Sequence, residues 1–198
     1  MATTTVTKIT KTPHGDARVR LHPAPDARGA VVLGHGAGGG VEAPDLIAAT
    51  AAAGSAGFNV ALVEQPYRVA GKRSSPAAKQ LDAAWIAVVE DLAATDFAEL
   101  PLVTGGRSAG ARVACRTAQA TGAAAVLCLA FPLQPPARAG KEPSPSRQPE
   151  LDAVTVPMLI VQGMNDRFGM PAPGPNREVV QVKGDHSLRS DREAVSIA

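Results

Sequence analysis

The chain has 198 residues, 45% hydrophobic but only 3% aromatic, with a formal net charge of +2. That length suits one well-buried core, so residues 1–198 read as a single domain whose interior is built from Ala, Val, Leu and Ile layers. The small, mixed charge argues against nucleic acid, which needs a concentrated basic face, and no apolar run approaches the roughly 20 residues of a membrane-spanning helix.

Residues 1–12 are polar and threonine-rich, without the apolar stretch of a secretory leader, so a cytoplasmic protein is expected. Short strand-like runs at 6–9 and 17–22 flank Pro13-His14-Gly15-Asp16, a turn signal that predicts an antiparallel hairpin. Residues 30–33 form a continuous apolar run, 46–53 have helical spacing behind Pro44, and 59–63 are apolar again. This strand, helix, strand succession is a parallel crossover. Ser75-Pro76 reads as an N-cap with proline at the first helical position, ahead of a stripe of Leu81, Ala84, Trp85, Val88 and Leu92. A strand is expected over 100–104, then a helix to about Ala120 carrying Ala111, Ala114, Cys115 and Ala118 on one face. Residues 124–130 are almost all apolar, as in a strand buried on both faces.

Prolines at 132, 135, 136, 143, 145 and 149 then interrupt 131–151, which cannot hold regular structure for long. Strands resume at 157–161 and 178–182, and 187–198 is short and partly helical. Cys115 and Cys128 fall in a helix and a buried strand, where free thiols behave as small core hydrophobes. The class is α/β, with a mostly parallel twisted sheet, helices on both faces and an N-terminal antiparallel hairpin.

Chemistry concentrates at Gly106-Arg107-Ser108-Ala109-Gly110, a G-x-S-x-G between a predicted strand and a predicted helix. At such a turn a serine sits in a strained conformation with its hydroxyl exposed, and the flanking glycines leave clearance. Asp166 and His186 each follow a later predicted strand. Loops after the carboxyl ends of parallel strands share one edge, so Ser108, Asp166 and His186 can converge there. A free hydroxyl is a weak nucleophile at neutral pH, and an imidazole can take its proton and return it. Asp166 would fix the imidazole tautomer. Asp185 is a rival acid, but as a backbone neighbour of His186 it is poorly placed to reach the far ring nitrogen. His14 and His22 lie in the predicted hairpin, away from that edge. The run Gly34-His35-Gly36-Ala37-Gly38-Gly39-Gly40 can turn backbone N–H groups toward an oxyanion, with Ala37 and Ala109 the expected donors.

Two other readings compete. Gly34, Gly36 and Gly39 also spell G-x-G-x-x-G, with Glu64 at the end of the next strand, as in a dinucleotide site. Against it, Pro44 marks a helix start several residues beyond the third glycine, and an antiparallel hairpin precedes the strand. The other alternative is an interaction module that keeps the fold without using the serine.

Taken together, the chain resembles the α/β-hydrolase superfamily, specifically its small dienelactone-hydrolase-like branch, which includes testis-expressed and chromatin-complex hydrolase-like proteins. The matching segments are His35-Gly36-Ala37-Gly38-Gly39, Gly105-Gly106-Arg107-Ser108-Ala109-Gly110 with Arg112, Phe131-Pro132-Leu133-Gln134-Pro135-Pro136, Gln162-Gly163-Met164-Asn165-Asp166 and Gly184-Asp185-His186-Ser187. The resemblance implies an antiparallel second strand in an otherwise parallel sheet and a Ser108, Asp166, His186 triad. Ala109 departs from the methionine often found there, and relatives usually continue into a fuller final helix beyond His186.

The expected function is a serine hydrolase acting on a small ester or thioester through an acyl-enzyme, without cofactor or metal. Gly36, Arg107 and Phe131 are expected to contact substrate. The proline-rich segment 131–151 would be a minimal cap, with Arg107, Arg138, Lys141 and Arg147 favouring an anionic acyl group; a solvated loop of biased composition is the plainer reading.

Overall fold

The computed structural model describes residues 5–137, 140, 142, 144–190 and 192–197; Arg138 and Lys141 lie outside them. Eight strands form one sheet: β1 (Val6–Thr12), β2 (Gly15–His22), β3 (Gly29–Gly34), β4 (Phe58–Glu64), β5 (Leu102–Arg107), β6 (Ala125–Leu129), β7 (Met158–Gly163) and β8 (Arg177–Val182). Their order is β1-β2-β4-β3-β5-β6-β7-β8. β2 runs antiparallel to β1 and β4, and every other pairing is parallel. The hairpin is longer than its apolar alternation indicates, because polar Lys8, Thr10 and Lys11 still pair across it.

The helices are α1 (Pro44–Ser55), α2 (Pro66–Val69), α3 (Ala78–Ala94), α4 (Ala109–Thr117), α5 (Gln148–Asp152) and α6 (Arg192–Ile197). Alternation along β3 shows why they cover both faces. Ala30 and Val32 join a cluster with Leu81, Trp85, Val88, Val89 and Leu92 of α3. Val31 and Leu33 face the other way, into a cluster with Leu46 and Ala49 of α1 and Val195 of α6. A third cluster sets Ala111, Ala114 and Cys115 of α4 against Val126, Cys128 and Ile160, with Leu151 of α5. Small residues on α4 let it lie close to the sheet. Trp85, almost fully buried, is the largest side chain among the fully buried described residues of an interior short of aromatics.

Three expectations are corrected. Ser75 does not cap α3: its hydroxyl turns to the Pro76 carbonyl, and the helix starts after extended Ala77. The strand expected over 100–104 runs instead to Arg107, since Gly105 and Gly106 pair with Leu127 and Cys128 of β6. His14 is not remote from the carboxyl edge either. β2 is antiparallel, so the 13–14 turn lies at the end where Arg18 pairs with Glu64, although β4 and β3 separate it from β5. No helix among the described residues is long and apolar enough to cross a membrane.

Candidate active site

Ser108 stands between β5 and α4 with φ 52° and ψ −107°, a left-handed conformation that is strained for a side-chain-bearing residue. Its amide donates to the Leu129 carbonyl at 2.9 Å, and its carbonyl accepts from Arg112 N–H at 3.2 Å. Glycine is required on both sides of the turn. A methyl group on Gly106 or Gly110 would collide with the carbonyl oxygen of Gly34, so β3, the turn and α4 approach through bare backbone.

The three residues expected to converge do so. Ser108 Oγ lies 2.9 Å from His186 Nε2, and His186 Nδ1 lies 2.7 Å from Asp166 Oδ2. Nδ1–H donating to the carboxylate leaves Nε2 free to accept the serine proton. Asp166 is held in turn: Phe168 N–H donates to Oδ1 at 2.9 Å, and Gln162 Nε2 donates to Oδ2 at 2.8 Å. The Phe168 ring packs on the His186 imidazole with centroids 4.4 Å apart. Asp185 instead accepts from Ser187 N–H and Oγ–H, which keeps it off the imidazole.

On the other side of Ser108, His35 shapes the glycine-rich loop. Its Nδ1 donates to the Gly36 carbonyl at 2.8 Å and its Nε2 accepts from Gln65 N–H at 3.1 Å. Burial pushes the His35 pKa down, which suits a neutral ring with one donor and one acceptor nitrogen. Tyr67 Oη donates to the Ala37 carbonyl at 2.9 Å, a second tie on the loop. Gly36 is buried close to Ser108, while Ala37 is exposed. Ala109 is the first residue of α4, where backbone N–H groups have no partner within the helix.

Arg107 and Phe131 are placed differently from expectation. The Arg107 guanidinium lies against Asp45, Nε to Oδ2 2.8 Å, and Nη2 donates to the His186 carbonyl at 3.1 Å. It is therefore engaged within the protein, with 19% of the side chain still exposed. Burial raises the Asp45 pKa, and Arg107 pulls it back only in part. The Phe131 side chain is fully buried beneath α4, and only its carbonyl faces the site, accepting from Gln162. Arg147 also serves the fold, donating to the Pro132 carbonyl at 2.8 Å.

His35, Tyr67, Asp45, Gln162 and Phe168 were not expected as site residues. Gln162 and His35 carried a signal, since one lies in the segment that leads to Asp166 and the other in the glycine-rich run.

A cavity of about 300 Å³ beside Phe168 is lined by Pro135, Pro136, Ala137 and Arg167. A larger concavity of about 550 Å³, lined by Val103, Leu127 and Leu159, opens near the beginnings of β6, β7 and β8. It lies at the wrong end of the sheet for Ser108. The dinucleotide alternative loses its geometry, because α1 starts only at Pro44 and the Glu64 carboxylate is paired with Arg18 at 2.8 Å. Among the described residues, no group of three or more His, Cys, Asp or Glu could hold a metal ion.

The fold is that of a serine hydrolase without a lid from Xanthomonas campestris, with TM-score 0.72 and 19% identity over 100% of this chain and 94% of that one. A dienelactone hydrolase from Anabaena variabilis superposes with TM-score 0.76 and 15% identity, covering 100% and 95%. An esterase domain from Rhodothermus marinus gives 0.68 and 16%, covering 98% and 94%. No curated protein matches the sequence. The family model described as "Alpha/beta hydrolase domain" matches residues 27–194, which spans the candidate site and leaves out the hairpin and the end of α6. The chain belongs to the α/β-hydrolase domain family.

Proposed function

We propose that this protein is a serine hydrolase that cleaves a small ester or thioester through an acyl-enzyme. The observation that carries this reading is the continuous path from Ser108 Oγ to His186 Nε2 and from His186 Nδ1 to Asp166, at 2.9 and 2.7 Å. In the first step His186 Nε2 takes the hydroxyl proton as Ser108 Oγ attacks the acyl carbon. The buried Asp166 carboxylate stabilises the imidazolium that forms. The carbonyl oxygen becomes an oxyanion, met by the N–H groups of Ala37 and Ala109; one such donor is typically worth roughly 10²–10³ in rate. His186 then protonates the departing alkoxide or thiolate, and the acyl group stays on Ser108. Water, deprotonated by the same imidazole, attacks the ester carbon and releases the acid.

The cavity beside Phe168, whose ring packs on the His186 imidazole, would receive one end of the substrate. Because Arg107 and Arg147 are engaged internally, any preference for an anionic acyl group would fall to Arg167, which lines that cavity, and to Arg138 and Lys141 of the proline-rich segment.

The test is a fluorophosphonate probe with p-nitrophenyl acetate as a reporter ester. Wild type is expected to label and turn over, and Ser108→Ala to lose labelling and roughly 10⁴-fold or more of turnover. Folded wild-type protein that neither labels nor hydrolyses the ester would instead favour the interaction-module reading.

A further inference from the structure

We propose that Arg107 and Asp45 form a positioning pair that holds the His186 loop and the glycine-rich loop in register around Ser108. This rests on the serine-hydrolase reading. The need for such a device follows from the sheet. β3, which leads into the glycine-rich loop, and β8, which leads to His186, are separated by β5, β6 and β7. Strand pairing therefore gives no direct bond between the two loops, yet one would supply an oxyanion donor and the other the base. Each must meet the same serine.

The Arg107 side chain spans that gap. It leaves the backbone immediately before Ser108, its Nε lies 2.8 Å from Asp45 Oδ2, and its Nη2 donates to the His186 carbonyl at 3.1 Å. A methyl group built on Gly36 would come within 2.8 Å of Nη1, so the loop backbone lies close against the guanidinium. Asp45 anchors the far side. Its carboxylate side chain is 0% exposed, and its Oδ1 accepts from Leu46 N–H at 3.0 Å in the first turn of α1. One planar cation thus touches α1, the Gly36 loop and the His186 backbone at once.

Stability alone is a poor account of this arrangement, since a buried ion pair replaced by apolar side chains of similar volume is often neutral or stabilising. Geometry is the better one. Guanidinium spreads one charge over a rigid plane, so it can press that charge against the Asp45 carboxylate while Nη2 donates to the His186 carbonyl in a fixed direction, whereas an ammonium is a single point. Lysine at position 107 could keep the charge near Asp45 but could not also hold the His186 carbonyl. Neither Arg107 nor Asp45 touches the reacting atoms, so their loss acts by displacing the base. A displacement of about 1 Å costs roughly 10²-fold in rate.

Arg107→Lys and Asp45→Asn test this in the full chain, read by p-nitrophenyl acetate kinetics, fluorophosphonate labelling rate, thermal midpoint and the downfield proton resonance of His186 Nδ1–H. The expected result for Arg107→Lys is a loss of roughly 10- to 100-fold in kcat and labelling rate, with KM changed less than about twofold. The imidazole resonance should shift or broaden while the protein stays folded. Asp45→Asn, which leaves the guanidinium without its charged anchor, should move the same readouts in the same direction. Wild-type kcat, labelling and resonance in folded Arg107→Lys would overturn the proposal. So would failure of both variants to fold, which would make the pair a support of the fold. Wild-type protein that does not label overturns the hydrolase reading instead, and the resonance then still reports whether Arg107 sets the imidazole.

Discussion

Two arginine–carboxylate clusters border α4, and they are built to different specifications. The first, Arg107 with Asp45, lies before the helix beneath the candidate site, and the Asp45 side chain has 0% exposure. The second lies along the helix. There Arg116 pairs with Asp82 of α3 and Arg112 with Glu150 of α5, and these four side chains keep 18–26% of their exposure. Burial works against the charge on Arg116, but Asp82 and Glu150 outweigh it and raise its pKa. The difference teaches what each cluster is for. A carboxylate closed off from water has only Arg107 as counter-charge beside the Leu46 N–H, so loss of that cation leaves its charge unbalanced. The second shares its charges among three helices and water, and acts as a distributed tie.

That contrast can be broken by measurement. The largest effect is expected from Arg107→Met, which leaves Asp45 buried without a counter-charge and should cost about 3 kcal/mol of unfolding free energy in urea. A loss below about 1 kcal/mol would put the two clusters on equal terms. Arg116→Met should cost only about 1 kcal/mol, because Arg112 still holds Glu150 and water reaches Asp82. Its fluorophosphonate labelling rate should match wild type. A labelling defect there would mean that the tie along α4 reaches Ser108 after all.

The smallest effect belongs to a more exposed tie, which sharpens the comparison at its weak end. Lys8 of β1 reaches Asp91 and Asp96, near the end of α3, at 2.8 and 2.7 Å. Burial works against the Asp96 carboxylate, but hydrogen bonds from Lys8 and Thr95 and the charge of Lys8 outweigh it and depress its pKa. A depressed carboxyl pKa contributes stability above its unfolded value, and that contribution is lost as pH falls through the folded value. Lys8→Met should therefore lower the thermal midpoint by about 1–3 °C at neutral pH. The gap should close in acid below the Asp96 transition. A gap that persists there would assign the effect to packing of the lysine stem.

Much of the fold was legible because hydrophobic spacing is a local property. The runs at 30–33, 124–130 and 157–161 each overlap an observed strand, and the stripe from Leu81 to Leu92 is an observed helix face. Turn chemistry was less legible. Ser75 and Pro76 carry the composition of a helix start, yet the chain enters α3 through Ala77, and no local rule says which way a serine hydroxyl turns. The short α2 carries too few residues for periodicity to register.

The same division runs through the site. Ser108, Asp166 and His186 could be singled out because each follows a strand in an order that parallel topology brings to one edge, and G-x-S-x-G marks a turn that glycine alone permits. The amino-acid order by itself determined that edge, that turn and the residue types available for proton transfer. Only the tertiary structure decided what Arg107, Phe131 and Asp45 do. Arg107 turns inward to Asp45 and His186, Phe131 is sealed beneath α4, and Asp45 is an anchor that no motif marks. The physical reason is range. Backbone periodicity and turn preference act over a few residues, whereas the partner of a long charged side chain is set by which distant segments the sheet brings within a few ångströms.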